Sequence, residues 1–129
     1  MIYISTDSGG SSVINLTVGD DAELVVPLKS DNGEDYEMTQ NEYLIFSVRE
    51  KASEESPLLI EIESEHGSNE IVFSHDDTKD IPPGFYSAEV QLMAEDAKRI
   101  TVWPMMTGSE KTREINRKNF CLMTEVVYR

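Results

Sequence analysis

Hydrophobic and polar residues alternate along most of the chain, whereas the 3.6-residue period of an amphipathic helix is nearly absent. The clearest stretch is 86–92, in which Tyr, Ala, Val and Leu alternate with Ser, Glu and Gln. The stretch 43–49 repeats the pattern, with Leu44, Phe46 and Val48 on one side. Because successive side chains of a strand point to opposite faces of a sheet, both stretches are predicted to be strands with one buried face.

Shorter apolar stretches between turn signals predict further strands at 13–17, 22–28, 58–62, 70–74, 99–103 and 120–128. Leu58, Ile60 and Ile62 are expected to line one of these strands on its inner side. Pro27 has no backbone N–H, so its strand is expected at a sheet edge or with a bulge. Residues 74–78 begin with Ser and contain two Asp, which predicts one capped turn of helix.

About eight short strands separated by polar turns are typical of an all-β sandwich or barrel. The chain has 129 residues, enough for one hydrophobic core, and contains no internal repeat or long linker. We therefore expect a single domain over residues 1–129.

Charge is divided unequally along the chain. Residues 1–96 contain 22 acidic and four basic side chains, a net charge of −18, whereas residues 97–129 contain three acidic and seven basic side chains, a net charge of +4. The acidic body disfavours binding to nucleic acid and to anionic membranes. Two interpretations of the acidity stay open: a solubilising surface, or electrostatic complementarity with a partner or another copy.

Sequence features of secretion and membrane insertion are not found. No apolar run approaches the roughly 20 residues that span a bilayer. The first ten residues, MIYISTDSGG, lack the basic and apolar regions of a signal peptide. The expectation is a protein made in the cytoplasm, with neither a signal peptide nor a transmembrane segment.

Motifs for catalysis or for a cofactor are also not found, so we expect a protein that is not an enzyme and has no cofactor. His66 and His75 lie in polar turns, and Cys121 lies in an apolar strand, where a buried inert thiol is expected. Acidic residues clustered near turns leave specific calcium binding as a minor alternative. A carbohydrate-binding alternative follows from Trp103, Tyr3 and Tyr43, because exposed aromatic faces stack on sugars.

The stretch 80–88, with the sequence DIPPGFYSA, resembles the corner between strands E and F of immunoglobulin-like domains. In that corner a Tyr near the start of strand F bonds to upstream backbone and stiffens the turn. Tyr86, with Gly84 before it, matches this position. The chain lacks the Cys that follows the Tyr in antibody domains, which excludes a disulfide-bonded antibody-type domain.

A wider resemblance follows from the order of the motifs along the chain. Gly19-Asp20 precedes a strand, Asp31-Asn32-Gly33 forms a hairpin turn, and the stretches FSVR (46–49), PGFY (83–86) and RITV (99–102) follow in that order. This order resembles the immunoglobulin-like N-terminal domain of upper baseplate proteins from tailed phages of Gram-positive bacteria, and related phage tail modules. The resemblance implies an immunoglobulin-like β-sandwich of about seven to nine antiparallel strands.

The same resemblance implies a non-enzymatic virion component of a phage or prophage tail or baseplate. Such a protein would be made in the bacterial cytoplasm and would dock onto other tail or baseplate proteins or onto itself. No small-molecule substrate is expected. A carbohydrate-binding or adhesin-like surface module is the alternative, and it depends on whether Trp103 is exposed.

The candidate interface is the basic segment that precedes the last strand. Its four bases fall within eight residues of an otherwise acidic chain: Lys111, Arg113, Arg117 and Lys118. A long charged connection of this kind is more typical of a functional segment than of a tight turn. The apolar strand that begins with Phe120 and continues through Leu122 is expected to add the buried contact of the interface.

Overall fold

A computed structural model of the protein describes residues 14–30, 33–51, 55–103 and 119–123, together with the backbone of residues 3–4. These residues form strands and one short helix, so the fold is all-β. The elements are β1 (Tyr3–Ile4), β2 (Ile14–Thr17), β3 (Ala22–Val25), β4 (Leu28–Lys29), β5 (Tyr43–Arg49), β6 (Leu58–Glu63), β7 (Glu70–Phe73), α1 (His75–Thr78), β8 (Gly84–Met93), β9 (Arg99–Trp103) and β10 (Phe120–Met123).

Six strands form one large sheet in the order β2-β10-β8-β5-β6, with β9 also paired to β8. β5 and β8 lie antiparallel at its centre, with Phe46 opposite Val90. Leu44, Phe46 and Val48 are each 0% exposed, which confirms the inner face predicted for β5. The long stretches of strict alternation therefore correspond to the two central strands.

β9 and β10 lie one after the other along the same edge of β8. β9 pairs with residues 90–93 of β8, and β10 pairs with residues 84–86. Both are antiparallel to β8, so together they occupy the place of one long strand that is interrupted between Trp103 and Asn119. The strand predicted at 99–103 and the strand predicted to begin at Phe120 thus pair with two parts of the same edge of β8.

The remaining pairings depart from the purely antiparallel arrangement that the resemblance implied. β2 pairs with β10 in parallel, with Leu16 opposite Leu122. β3 and β7 form a separate antiparallel sheet, and β1 pairs with β4. The strand predicted at 22–28 is broken between Val25 and Leu28, as expected for a segment that contains Pro27.

Three phenylalanine rings join the two main sheets. Phe46 and Phe120 come from the large sheet, and Phe73 comes from β7. The ring centroid of Phe46 lies 5.2 Å from that of Phe73 and 5.8 Å from that of Phe120, and the Phe73 and Phe120 centroids are 6.4 Å apart. Since replacing a buried Phe by Ala typically costs about 3–5 kcal/mol, this cluster is a main source of stability.

Leu58 does not lie on the inner side with Ile60 and Ile62. The register of β6 against β5 shifts between Val48 and Arg49, so that Val48 is opposite Ile60 but Arg49 is opposite Leu58. The shift inserts one extra residue and turns Leu58 outward, where it is 42% exposed. Sequence alternation alone does not indicate such a bulge.

The predicted helical turn is present as α1, and a capping box at Ser74 and Asp77 begins it. Contacts with the turn at residues 18–21 hold it in place. The Gly19 amide donates to Thr78 Oγ1 at 2.7 Å, and the His75 amide donates to Asp21 Oδ1 at 2.8 Å. A four-residue helix is not stable alone, so these tertiary hydrogen bonds are what maintain it.

Tyr86 bonds to the backbone just upstream of β8. Its hydroxyl donates to the Pro82 carbonyl at 2.5 Å, and burial, followed by the charge of Glu50, raises the pKa of the phenol. Gly84 has a φ of +156°, a backbone conformation that residues with a side chain rarely adopt. The corner expected from the sequence therefore has its hydrogen bond.

Tyr86→Phe should lower the free energy of unfolding by about 0.5–1.5 kcal/mol, because it keeps the ring but removes one hydrogen bond. Chemical denaturation measures the change. Tyr43→Phe is the matched control, because the Tyr43 hydroxyl forms no hydrogen bond within the described part of the chain. The variant keeps the ring, whose centroid lies 4.8 Å from that of His66. Equal midpoints for wild type and Tyr86→Phe would show that the hydrogen bond does not stabilise the corner.

Candidate functional site

The described residues do not include the four bases expected to mark an interface: Lys111, Arg113, Arg117 and Lys118. Phe120 and Leu122, expected to complete that interface, face the core and are 0% and 1% exposed. Their side chains offer no surface to a partner, and the expectation needs correction at these two positions. The outward side chains of β10 are instead Cys121 and Met123, which alternate with them.

Asn119 closes the gap between β9 and β10. Its side-chain Nδ2 donates to the Ala88 carbonyl at 2.9 Å, and its Oδ1 accepts from the Ala88 amide at 2.6 Å. Its own backbone amide donates to the Tyr86 carbonyl at 3.1 Å. The side-chain amide thus takes the place of a strand residue, and the backbone of β8 stays paired where its neighbouring strand is interrupted.

The outer face of the large sheet is the face turned away from β3 and β7. Its side chains form rows across the strands: Glu63, Ile45, Gln91 and Thr101; then Glu61, Ser47 and Glu89; then Leu58, Arg49 and Ser87; and then Phe85, Cys121 and Asn15. The first two rows contain three glutamates. The last two rows contain two large apolar side chains.

Apolar exposure is concentrated at one end of the outer face. Phe85 is 61% exposed, and Leu58 and Met123 are each 42% exposed. Phe85 of β8 lies directly opposite Cys121 of β10, and Met123 is two residues further along β10. Large exposed apolar side chains that share one sheet face are typical of protein-binding surfaces.

Cys121 differs from the sequence expectation. It is partly exposed and unpaired, and it lies on the outer face beside Phe85. The expectation of a buried thiol assumed that the whole apolar stretch faces inward. The alternation within β10 places the thiol on the other side of the sheet.

A buried carboxylate lies at the opposite end of the large sheet, just before β5. Glu42 is 3% exposed, and the Tyr36 hydroxyl lies 2.8 and 3.0 Å from its two oxygens. The Thr39 amide also donates to Glu42, at 3.0 Å. The pKa of Tyr36 is raised to about 12, mainly by burial. The hydrogen bond to Glu42 and the negative charges of Glu42 and Glu95 raise it further. Sequence alone does not indicate this pair, since residues 39–42 have the composition of an exposed turn.

The two histidines have structural contacts. His66 stacks on Tyr43 with an interplanar angle of 7°, and His75 Nδ1 donates to the Gly19 carbonyl at 2.7 Å. Trp103 is 7% exposed and belongs to the core. The carbohydrate-binding alternative depended on an exposed Trp103, so this observation does not favour it.

The acidic turns use several of their carboxylates locally. Asp21 accepts from α1, Asp76 pairs with Lys79 at 3.2 Å, and Asp35 pairs with Lys29. Over the ranges that the structure describes, no three His, Cys, Asp or Glu side chains are grouped as they would be to hold a metal ion. Within the same ranges, no helix is long and apolar enough to cross a membrane.

No protein-family model matches the chain, and no curated protein is significantly similar to it.

Asn119→Ala should lower the free energy of unfolding by about 2–4 kcal/mol, because it leaves the buried N–H and C=O of Ala88 without partners. Asn41→Ala is the control, since the Asn41 side chain is exposed and donates one hydrogen bond to the exposed Glu95 within the described ranges. Thermal or chemical denaturation of both variants provides the measurement. A loss no larger than that of Asn41→Ala would mean that the side-chain amide does not maintain the strand.

The raised pKa of Tyr36 predicts a loss of stability in alkali. In the folded protein the phenol keeps its proton up to about pH 12, whereas in the unfolded chain it loses the proton near its ordinary pKa of 10.0. The contribution is complete below pH 10 and is lost as the pH rises through 12. Unfolding curves at successive pH values should therefore show that the stability difference between wild type and Tyr36→Phe decreases over this interval. A difference that does not change over this interval would contradict the prediction.

Proposed function

We propose that the chain is an immunoglobulin-like β-sandwich. The strand order supports this: β5, β8 and the β9–β10 edge correspond to strands C, F and G of one sheet, and β3 and β7 correspond to strands B and E of the other. The Tyr86 hydrogen bond to Pro82 lies where such domains have their tyrosine corner. The Phe46–Phe73 contact joins the two sheets across the core.

The proposed function is that of a structural assembly module of a phage or prophage tail or baseplate. The order of turn and strand motifs supports it. Gly19-Asp20 ends one residue before β3, the PGFY stretch (83–86) spans the start of β8, and the RITV stretch (99–102) lies in β9. The mechanism is docking onto other tail or baseplate proteins, without a chemical reaction. The protein is made in the bacterial cytoplasm and incorporated into the virion.

The observation that carries docking is the apolar end of the outer face. Phe85 is 61% exposed on a regular strand, where its side chain is presented by a rigid backbone. Aromatic side chains on rigid elements are frequent anchors of protein interfaces. The glutamates further along the same face would favour a partner surface that contains Lys or Arg.

A virion component should be present in purified phage particles at a fixed ratio to the major tail protein. Mass spectrometry of particles from a host that carries the gene measures this ratio. Disruption of the gene should remove infective particles, and the wild-type gene supplied in trans should restore them. Absence of the protein from purified particles, together with unchanged infectivity, would refute the proposed function.

A variant with Lys111, Arg113, Arg117 and Lys118 changed to Ser tests the basic segment. We expect it to be incorporated into particles less than wild type, since four charges that attract an acidic partner are lost. Lys51, Lys79 and Lys98 changed to Ser form the control, because this variant removes exposed bases of the body instead. Equal incorporation of both variants would show that the basic segment is not an assembly surface.

A further inference from the structure

The outer face of the large sheet has opposite charges at its two edges. Glu61 and Glu63 are exposed on β6, at one edge, and Arg99 is exposed on β9, across β5 and β8. Within the ranges that the structure describes, none of these three side chains forms an ion pair. Glu61 and Glu63 point outward because they are register partners of Ser47 and Ile45 on the outer face. Arg99 points outward because its partner Met93 alternates with the inward Leu92.

The apolar side chains of this face are divided in the same way. Leu58 lies on β6, and Phe85 and Met123 lie on β8 and β10 towards the other edge. All three belong to the end of the face opposite Glu63 and Arg99. The β6 edge therefore has Glu61 and Glu63 towards one end and Leu58 at the other, whereas the β9–β10 side has Arg99 towards the first end and Met123 at the second.

We propose that two copies of this chain pack outer face to outer face about a two-fold axis parallel to the strands. This inference rests on the proposed function, which allows self-association, and it assigns that association to one surface. Such an axis keeps the two ends of the face aligned and exchanges its edges. It places Glu61 and Glu63 of one copy opposite Arg99 of the other. It also places Leu58 of one copy opposite the strand of the other that carries Met123, with Phe85 one strand nearer the axis.

Charge complementarity is the reason for a second copy as the occupant. A chain with a net charge of −14 repels its copies in most orientations, so association requires an arrangement in which unlike charges face each other. The two-fold arrangement provides this at the edges of the outer face.

The other exposed apolar pair lacks this complementarity. Val25 and Val72 are 59% and 54% exposed on the outer side of β3 and β7. Their register partners are Glu70 and Glu23, and no basic residue belongs to either strand. Two copies that met through this surface would bring like charges together.

Sedimentation of the wild-type protein over a range of concentrations tests the proposal first. We expect a monomer–dimer equilibrium. Phe85→Asp should weaken it by about tenfold or more, as expected when a charge replaces an aromatic anchor that is buried in an interface. Val72→Asp is the matched control, because it places the same charge at a similarly exposed position on the other sheet. A monomer at every concentration, or equal effects of both variants, would overturn the proposal.

Charge reversal tests the orientation. Glu61→Lys with Glu63→Lys should weaken dimerisation, and so should Arg99→Glu. The variant that combines all three changes should regain dimerisation, because the opposite charges again face each other across the two-fold axis. Glu23→Lys with Glu70→Lys is the control for net charge. Failure of the combined variant to dimerise better than Glu61→Lys with Glu63→Lys would overturn this orientation.

Cys121 provides a readout of dimerisation that leaves the interface of the wild-type protein unchanged. It is the only cysteine, it is partly exposed, and it lies beside Phe85 on the proposed interface. Alkylation of Cys121 by a maleimide should slow as protein concentration rises in the wild type, and should not slow in Phe85→Asp. An alkylation rate that does not depend on wild-type concentration would contradict the proposal. Incorporation into phage particles is measured separately, so a protein found in virions that does not dimerise would refute this inference while leaving the proposed function intact.

Discussion

The backbone of β8 must be paired along both of its edges, because unpaired buried N–H and C=O groups are costly. β5 satisfies one edge over residues 87–93. The other edge is satisfied by β9, then by the Asn119 side chain, and then by β10. The sheet therefore tolerates an interrupted strand only because one amide side chain lies at the gap. The position of Phe120, and with it the contact between the two sheets, depends on this connection.

The same requirement governs the two ends of the large sheet. At one end Tyr36 and the Thr39 amide satisfy the buried Glu42 carboxylate. At the other end the Gly19 amide bonds to the fully buried Thr78 hydroxyl. Throughout the described part of the chain, no buried side-chain nitrogen or oxygen lacks a hydrogen-bond partner. Buried polar groups thus fix the loops, while the phenylalanine cluster fixes the sheets.

Local patterns predicted the parts of the fold that depend on local properties. The strands predicted from the alternation at 43–49 and 86–92 are confirmed as β5 and β8. The capped helical turn predicted at 74–78 is confirmed as α1. The pairing of β2 with β10, the outward position of Leu58 and the role of Asn119 were not predicted. Each depends on a partner distant in sequence. No sequence pattern distinguishes an Asn whose side chain pairs with the backbone of a neighbouring strand from an Asn at the surface. For the candidate site, the basic cluster was visible as charge, but the outer face required knowledge of register.

The interrupted edge also affects how the chain can vary in length. The register of β9 against β8 is held by pairing up to Trp103, and the register of β10 is held by Asn119 and the pairs that follow it. A connection of variable length between these two points is compatible with both registers, since doubling the length of a flexible loop costs only about 0.6 kcal/mol in closure entropy. This site suits the grafting of foreign peptides, or the divergence of recognition segments, on a constant scaffold.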